Sequence, residues 1–458
     1  MGYQADFSLK RSKGRWALYA RDMPTLPGTN LYSSHPFFIS CQDDHRCFGV
    51  LIMNTHAIEV DYDGEQKLRF VIGGGDVDLM IFAGPSMEHV VQQLTWIIGR
   101  PAMQQERTLG LHQCRFGYRN LQEVEDMVQG YERVGIPLDG IWLDIDHMDG
   151  FQDFTLDPIN FPPRRVQAFV KREHEKGRMI VPIIDPGIKL NETLKSYWEG
   201  MEMDVFMKDS HGRRYVGEVW PGLVHFIDFF HPNASVYLHK QLSSFPVDFD
   251  GLWIDMNEPS NFLTGYTNRG IKVPSKGHSS LNYPPYDICN AVFGDAEPVM
   301  PLFSRTVPMD VLNTLGEEKL YSYSVHNIYG YQEAKLVYSV LREREERPFI
   351  LSRSTFPGSG RYAITWLGDN YSTWPQMKLS ITGVLLHQLM GISMAGPDLG
   401  GFMGDVEEEL LVRWMALGAF MPFARNHNAK GYVGQEPFRY PMVAMVTKKY
   451  FELRYSVG

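Results

Sequence analysis

The sequence predicts an α/β protein, a (β/α)8 barrel that follows a β-rich N-terminal segment. Eight short apolar runs alternate with helical patterns, and polar residues follow nearly all of these runs. Eight such repeats favour a closed barrel over an open doubly wound sheet. The eight predicted strands are Leu109–Cys114, Gly140–Ile145, Arg178–Asp185, Gly251–Met256, Pro348–Ser352, Ala363–Leu367, Gly391–Ala395 and Phe420–Ala424.

The first hundred residues have a different pattern and are expected to form a partial N-terminal β-sandwich domain, residues 1–100. Apolar side chains alternate with polar ones over residues 68–72 and again over residues 77–81, as in half-buried strands. The glycines at 73–75 between them predict a turn. A helix over residues 87–98, with one apolar face, is expected to link this domain to the barrel.

The barrel itself is expected to span residues 101–458, with helices between most strands. Asn120 with Glu123, and Asp405 with Glu408, each match a capping box at the start of an apolar helical pattern. The stretch Tyr331–Glu346 is also expected to be helical.

Two connections in the barrel are too long for simple turns and are expected to be insertions, at about 187–231 and 262–327. The second is rich in Gly, Pro, Ser and Asn. It is therefore expected to be a loop that covers the barrel mouth.

Composition excludes several classes of protein. Hydrophobic residues make up 44% and charged residues 21%, as in an ordinary globular protein. The formal net charge of -10 disfavours nucleic acid as a partner. No run is long and apolar enough to span a bilayer, and the N-terminus lacks the apolar region of a signal peptide.

The four cysteines do not form a disulfide scaffold, and no Cys/His spacing resembles a zinc site. Cys41 and Cys47 are close enough in sequence to bridge a short loop, and two free buried thiols are the alternative. No cofactor or metal is expected.

Polar side chains follow seven of the eight predicted strands. They are Asp144, Asp146, Asp185, Asp255, Arg353, Asp369, Asp398 and His427. Helix caps or turns explain any one Asp alone, but seven strands in turn imply a ring of polar groups around one cavity. A parallel barrel carries its reactive groups at this C-terminal mouth, and two facing acids such as Asp255 and Asp369 can cleave a glycosidic bond.

The segment GLWIDMNEPSNF, Gly251–Phe262, resembles the nucleophile signature of family 31 glycoside hydrolases, the α-glucosidase family. Other segments agree with this family in order, among them DGIWLDIDHMDGFQDFTLDP, RPFILSRSTFPGSGRYAITWLGDN, GPDLGGFMGD and RWMALGAFMPFARNHN. The resemblance covers nearly the whole chain, from about Gly28 to Tyr455.

The resemblance implies a retaining exo-α-glucosidase that acts on maltose-like oligosaccharides. Asp255 matches the nucleophile and Asp369 the general acid/base. Retention requires carboxyl groups roughly 5–5.5 Å apart, whereas an inverting pair would be roughly 6.5–9.5 Å apart. It also requires an ionised Asp255 and a protonated Asp369, with Arg353 as a charge partner for the carboxylates.

The same resemblance implies a set of sugar-binding residues. Asp144, Ile145, Arg353 and His427 match residues that hold the terminal sugar, and Asp398 matches a supporting acid. Asp22 and Phe116 match a loop acid and an aromatic platform beside the second sugar. The apolar wall of the pocket is matched by Ile183, Trp220, Trp253, Met256, Trp366 and Phe402.

Three alternatives stay open at this point. The chain has the motifs that α-xylosidases, transglucosidases and glucan lyases of the same family share. A non-catalytic sugar-binding fragment is a second alternative, which the presence of both acids disfavours. A metal-dependent hydrolase using Asp144, Asp146 and Asp149 is the third, although their spacing fails the calcium-loop pattern.

Family members carry a fuller N-terminal β-sandwich and two β-domains after the barrel, so the resemblance implies truncation at both ends. It also suggests the secretory pathway, in an extracellular, lysosomal or vacuolar compartment. The sequence does not predict an oligomeric state.

Overall fold

The computed structural model describes residues 14–457 except 26–28, 66, 264, 266, 269–270, 273–279, 283 and 285–300. Its N-terminal part consists of two antiparallel sheets of three strands each. One sheet contains Gly14–Leu18, Ile58–Tyr62 and Leu68–Ile72, and the other contains Phe37–Cys41, Cys47–Ile52 and Leu79–Phe82. Phe38 stacks on Phe70 with ring centroids 6.0 Å apart, so the two sheets contact one another through these aromatic rings.

These sheets confirm the β-rich N-terminal part, with one difference from the sequence prediction. The chain bends after Gly73, as expected, but the strands on either side of this bend pair with different sheets. The predicted linker helix is present at Met87–Ile98. The domain division at residue 100 stays a prediction.

Cys41 and Cys47 form a disulfide at the hairpin that joins their strands. The two residues are direct partners in the antiparallel register. Of the remaining cysteines, Cys114 is a buried thiol, and Cys289 lies outside the described residues.

Parallel strands form the predicted barrel, which confirms the fold class. In chain order they are Leu111–Gln113, Gly140–Leu143, Met179–Ile184, Gly251–Ile254, Phe349–Ser352, Ile364–Trp366, the pair Ala395–Gly396 and Asp398–Leu399, and Ala424–Asn426. Each pairs in parallel with its neighbour, and the eighth strand pairs with the first.

The seventh strand closes the barrel in two short pieces. Ala395–Gly396 pairs with the sixth strand, and Asp398–Leu399 pairs with the eighth. Pro397 separates them, and proline has no backbone N–H to donate across a sheet.

The seventh and eighth strands were predicted too early in the sequence. Gly391, with φ +82, ends the turn after the preceding helix. Residues Gly391–Met394 therefore lead into the strand and are not part of it. Phe420 and Met421 likewise lie in a turn after a helix, where their N–H groups donate to Leu417 and Gly418. Both errors have one cause, which is that these strands contain buried polar residues in place of a purely apolar run.

Helices surround the barrel in the described part of the chain. They are Leu121–Val134, Pro163–Glu175, Lys195–Glu202, Ala234–Ser243, Ser322–Val325, Tyr329–Leu341, Trp374–Leu389, Glu408–Gly418 and Pro441–Ser456. None of the helices described is long and apolar enough to cross a membrane.

Asn120 caps its helix as predicted, since its Oδ1 accepts the Glu123 N–H at 3.0 Å. The capping box predicted at Asp405 is wrong. The Asp405 carboxylate instead accepts the Val433 N–H, 2.7 Å away, and Glu407 is the N-cap residue of the helix that begins at Glu408.

Both predicted insertions contain regular structure. The first includes an antiparallel sheet of Gly187–Lys189, Gly217–Val219 and Gly222–Phe226. The second was expected to be loop, but its described part includes the hairpin Leu312–Leu315 and Glu318–Tyr321.

We expect Gly396→Ala to destabilise the barrel at its closing strand. An added Cβ would lie 2.0 Å from the carbonyl oxygen of Phe423, and backbone cannot move aside cheaply. The expected loss in free energy of unfolding is about 3 kcal/mol, at the upper end for overpacking. Denaturant midpoints would measure it.

Gly177→Ala is the control, because Gly177 has φ +80 and nothing within 4 Å of the added Cβ. Its cost should be about 1–2 kcal/mol, from the left-handed backbone alone. Equal losses in the two variants would contradict the steric account of Gly396.

Candidate active site

Asp255 lies at the mouth of the barrel, directly after the fourth strand. Its backbone N–H donates to the Ile184 carbonyl at 3.1 Å, which continues the pairing with the third strand. Its Oδ1 accepts the Met256 N–H at 2.7 Å. Met256 has φ +56, so the chain turns sharply here, and the side chain of Asp255 stays 14% exposed.

Arg353 follows the fifth strand and contacts three carboxylates. Its Nε lies 3.0 Å from Asp255 Oδ1, and its Nη2 lies 3.8 Å from Asp22 Oδ2. The guanidinium donates two hydrogen bonds of 2.8 Å to the two oxygens of Glu258. Its Cζ lies 4.8 Å from the ring centroid of Tyr32, which covers one face.

Asp369 lies at the same mouth, where the N-terminal segment holds its backbone. The Thr25 hydroxyl donates to its carbonyl at 2.8 Å, and its N–H donates to the Tyr32 hydroxyl at 3.3 Å. Arg353 makes its ion pairs with Asp22, Asp255 and Glu258, and none with Asp369 within 4.0 Å among the described residues.

The two acids differ electrostatically. Burial raises the pKa of Asp255, and the charge of Arg353 opposes this rise. Burial raises the pKa of Asp369 well above its usual range. Arg353 opposes this rise from a distance, and the negative charge of Asp255 adds to it. Asp255 is therefore near enough to Asp369 for its charge to disfavour ionisation of the second acid.

The loop acid Asp22 also reaches this mouth. Its Oδ2 accepts a hydrogen bond of 2.9 Å from Ser260 and lies 3.4 Å from Arg305 Nη2. Burial alone would raise the pKa of Asp22, but Arg353 and Arg305 together lower it. Asp22 is therefore a carboxylate.

The floor of the cavity contains Asp144 and His427. Asp144 Oδ1 accepts the Ile145 N–H at 2.7 Å, and Oδ2 lies 3.5 Å from His427 Nε2. Burial, with the nearby Arg425, lowers the pKa of His427 well below its usual range, so the imidazole is neutral.

Aromatic rings form the wall beside this floor. The ring centroid of Trp253 lies 5.5 Å from that of Trp366 and 5.4 Å from that of His427. Phe402 contacts the other side of His427 at 4.9 Å, and Ile183 is the parallel partner of Trp253. Met256 contributes its sulfur, which accepts a hydrogen bond of 3.3 Å from Arg353.

Trp220 lies apart from this wall, at the rim. It is 40% exposed, and its ring centroid is 5.6 Å from Phe116 and 5.1 Å from Phe262. Lys430 lies above the Phe116 ring at 5.9 Å. Trp220 therefore belongs with the platform predicted for the second sugar.

Asp398 lies beneath the cavity and is bonded to Arg425 at 2.9 Å. Arg425 is fully buried, and its Cζ lies 4.4, 4.8 and 5.4 Å from the ring centroids of Trp253, Trp142 and Trp366. Burial raises the pKa of Asp398 to about 7, even though Arg425 opposes the rise.

Two further strand-end acids have partners of their own. The Asp146 carboxylate accepts the Gly117 N–H at 2.6 Å, in the loop after the first strand. Asp185 is buried against Asp153, whose Oδ1 accepts the Asp185 N–H at 2.7 Å. Burial and Asp153 raise the pKa of Asp185 well above its usual range, and Asp255 and Arg353 also act on it, so Asp185 lies near the charges of this group. Asp144 and Asp146 thus have different partners, and the reading of Asp144, Asp146 and Asp149 as metal ligands gains no support.

Sequence reasoning gave no role to three residues that shape the site. Glu258 lies inside the quoted motif, three positions after Asp255, and this proximity was an available signal. Arg425 precedes His427 by two positions, inside a strand that was predicted elsewhere. Tyr32 carries no local signal, because its contacts are more than 300 residues away.

Comparison with known proteins identifies the family of this chain. The model of the glycosyl hydrolases family 31 TIM-barrel domain matches residues 101–457. The chain belongs to glycosyl hydrolase family 31.

Three relatives illustrate the match. A probable alpha-glucosidase of Oryza sativa subsp. japonica is 42% identical over 93% of this chain and 47% of its own length. Alpha-xylosidase 1 of Arabidopsis thaliana is 37% identical over 96% of this chain and 50% of its own length. A crystal structure of a glucosidase II alpha subunit superposes with a TM-score of 0.83, at 28% identity, over 99% of this chain and 47% of that one.

The chain spans about half the length of the curated relatives it matches.

We expect Arg425→Met to destabilise the protein by about 3–5 kcal/mol, because it leaves Asp398 buried without its cation. A raised carboxyl pKa means proton uptake on folding, so its contribution to stability is lost as pH rises through about 7. The loss should therefore be smaller at about pH 5 than at about pH 8.

The double variant Arg425→Met/Asp398→Asn removes both charges and is the control. Chemical denaturation of the four proteins of this cycle would measure the coupling. A double variant less stable than Arg425→Met would contradict the ion-pair account.

Proposed function

We propose that this chain carries the active site of a retaining exo-α-glucosidase, which removes terminal glucose from maltose-like oligosaccharides. The observation that carries the proposal is that two acids at one barrel mouth have different electrostatic surroundings. Arg353 forms an ion pair with Asp255 at 3.0 Å, whereas Asp369 has a pKa raised well above its usual range. A retaining glycosidase needs one ionised and one protonated acid.

In the first step, Asp255 attacks the anomeric carbon while Asp369 protonates the departing glycosidic oxygen. A covalent glycosyl ester forms on Asp255. In the second step, Asp369 removes a proton from water, and this water displaces Asp255. Two inversions at the anomeric carbon leave its configuration retained.

The remaining site residues would bind the sugars. Asp144 and His427 offer polar atoms to hydroxyl groups at the floor, and Arg353 does so beside Asp255. The rings of Trp253, Trp366 and Phe402 form an apolar wall for the sugar face. Asp22, Phe116 and Trp220 are placed to contact the next sugar.

Glucose is proposed over xylose because alpha-glucosidases are prominent among the curated relatives, such as those of Oryza sativa and Hordeum vulgare. The plant alpha-xylosidase is nearly as similar. One hydroxymethyl group distinguishes the two sugars, so initial rates on p-nitrophenyl α-glucoside and α-xyloside would decide between them. Sugar binding without turnover on either would instead support the non-catalytic alternative.

A 5-fluoro-α-glucosyl fluoride should label Asp255. The fluorine slows both steps, but the good leaving group lets the first proceed, so the ester accumulates. Peptide mass mapping would locate the label on the peptide that contains WIDMNEP. Asp255→Asn should remain unlabelled, and a label on another carboxylate in the native chain would overturn the assignment.

Asp369→Ala should lose roughly 10²–10⁴-fold of its activity on maltose, the usual contribution of general acid–base catalysis. It should lose far less in the first step with p-nitrophenyl α-glucoside, whose leaving group needs little protonation. Initial rates with both substrates would measure this difference.

Azide provides the control, since it attacks the glycosyl ester without a general base. It should accelerate the Asp369→Ala variant and yield α-glucosyl azide, but leave the native chain unaffected. Equal losses on both substrates with no azide rescue would remove Asp369 from the acid/base role.

A further inference from the structure

Three buried side chains of different chemistry meet at the floor of the candidate active site. Cys114, Asp144 and His427 follow or end the first, second and eighth barrel strands, which are neighbours in the sheet. One ligand atom from each, the thiol sulfur, a carboxylate oxygen and an imidazole nitrogen, all lie within 4.8 Å of one another. We propose that these residues form a site for a thiophilic divalent cation of the Zn²⁺ class.

The spacing of the donor atoms suits a tetrahedral ion. Zinc bonds of about 2.0–2.3 Å place neighbouring ligand atoms roughly 3.4–3.6 Å apart. Asp144 Oδ2 and His427 Nε2 are already 3.5 Å apart. The sulfur lies within 4.8 Å of both atoms, so it needs to approach by at most about 1.3 Å to complete the site.

The second contacts of these ligands hold them in place. Asp144 uses Oδ1 for the Ile145 N–H, and this leaves Oδ2 directed at His427. The imidazole of His427 is packed between Phe402 and Trp253. Such outer contacts orient the ligands of protein metal sites.

The donor set selects the class of ion. Ca²⁺ and Mg²⁺ take oxygen ligands, so a thiol and an imidazole disfavour them. One sulfur, one nitrogen and one oxygen suit Zn²⁺, Co²⁺ or Cd²⁺. Three protein ligands leave the fourth position open toward the cavity.

The nearby charges permit a cation here. Arg425 is the cation that bears on this floor, but Asp398 binds it at 2.9 Å and tryptophan rings cover it. Asp146 and Asp255 add negative charge around Asp144. On binding, the ion displaces to solvent the proton of the Cys114 thiol and the proton of Asp144, whose pKa burial raises well above its usual range, so no oxidant or reductant is required.

Occupation of this site would block the sugar, since Asp144 and His427 are the residues proposed to bind its hydroxyl groups. This consequence rests on the proposed function, whereas the metal site itself does not. The ion is therefore an inhibitor that competes with substrate, and it has no part in the reaction.

Titration of the chain with Co²⁺ alone tests the site directly. Binding should produce a thiolate-to-cobalt charge-transfer band and tetrahedral d–d bands, which added Zn²⁺ removes by competition. Cys114→Ser should lose the charge-transfer band and bind Zn²⁺ more weakly by more than the roughly 10–100-fold typical for loss of an outer contact. Cys289→Ser, which removes the other cysteine outside the disulfide, should behave like the native chain.

Steady-state kinetics would then test the consequence. Zn²⁺ should raise KM for p-nitrophenyl α-glucoside without changing kcat, and this effect should weaken in Cys114→Ser. Inhibition of equal strength in both proteins would overturn the assignment to Cys114. Absence of a thiolate band in the native chain would overturn the site, whether or not the chain is active and whether or not the variant folds.

Discussion

The buried guanidinium of Arg353 is the interaction on which the barrel mouth depends. It contacts Asp255, Glu258 and Asp22, and Arg305 also pairs with Asp22, so carboxylates outnumber the cations around Arg353. Low-dielectric surroundings make such an excess of negative charge costly, and the usual relief is proton uptake. Burial raises the pKa of Glu258 to about 7 even with two hydrogen bonds from Arg353. Asp369 lacks an ion pair with Arg353 in the part of the chain described. Among the acids at this mouth, it is therefore the one that most readily holds a proton. The ion pairing of Arg353 thus gives Asp255 and Asp369 different electrostatic surroundings.

Arg353 reaches these partners because the barrel places them at one mouth. The fourth and fifth strands are parallel neighbours, so Asp255 and Arg353 end side by side. A second arginine, Arg425, is buried below them, and Asp398 with three tryptophan rings neutralises and covers it. Arg425 lowers the pKa of Asp255, whereas Asp398 raises the pKa of Asp369. The ion pair of Arg425 with Asp398 therefore helps to keep the pKa of Asp255 below that of Asp369.

The sequence allowed the barrel to be predicted where an apolar run coincides with a strand, as in the second to fifth strands. The first strand was found although it contains the buried polar residues His112 and Gln113. The sequence pattern misplaced the seventh and eighth because Asp398, Arg425 and Asn426 are buried polar residues within strands, which local hydrophobicity cannot distinguish from a turn. Position at a strand end located Asp255 and Asp369. The roles of Tyr32 and Thr25 depend on a crossing of the N-terminal segment over the sixth strand, more than 300 residues away, and no local pattern records that contact.

The floor of the cavity shows how two kinds of recognition overlap. A sugar hydroxyl requires an acceptor and a donor about 3 Å from its oxygen, and Asp144 with His427, 3.5 Å apart, meets this requirement. The same separation matches one edge of a tetrahedral zinc site. Asp144 and His427 alone would hold an ion weakly, since two ligands leave half of its coordination to water. The thiol of Cys114 would strengthen binding of the ion, because it adds a third ligand. A sugar hydroxyl has no need of this sulfur atom. In the proposed arrangement, Cys114 would set the affinity for a thiophilic ion, and Asp144 with His427 would set the affinity for the sugar.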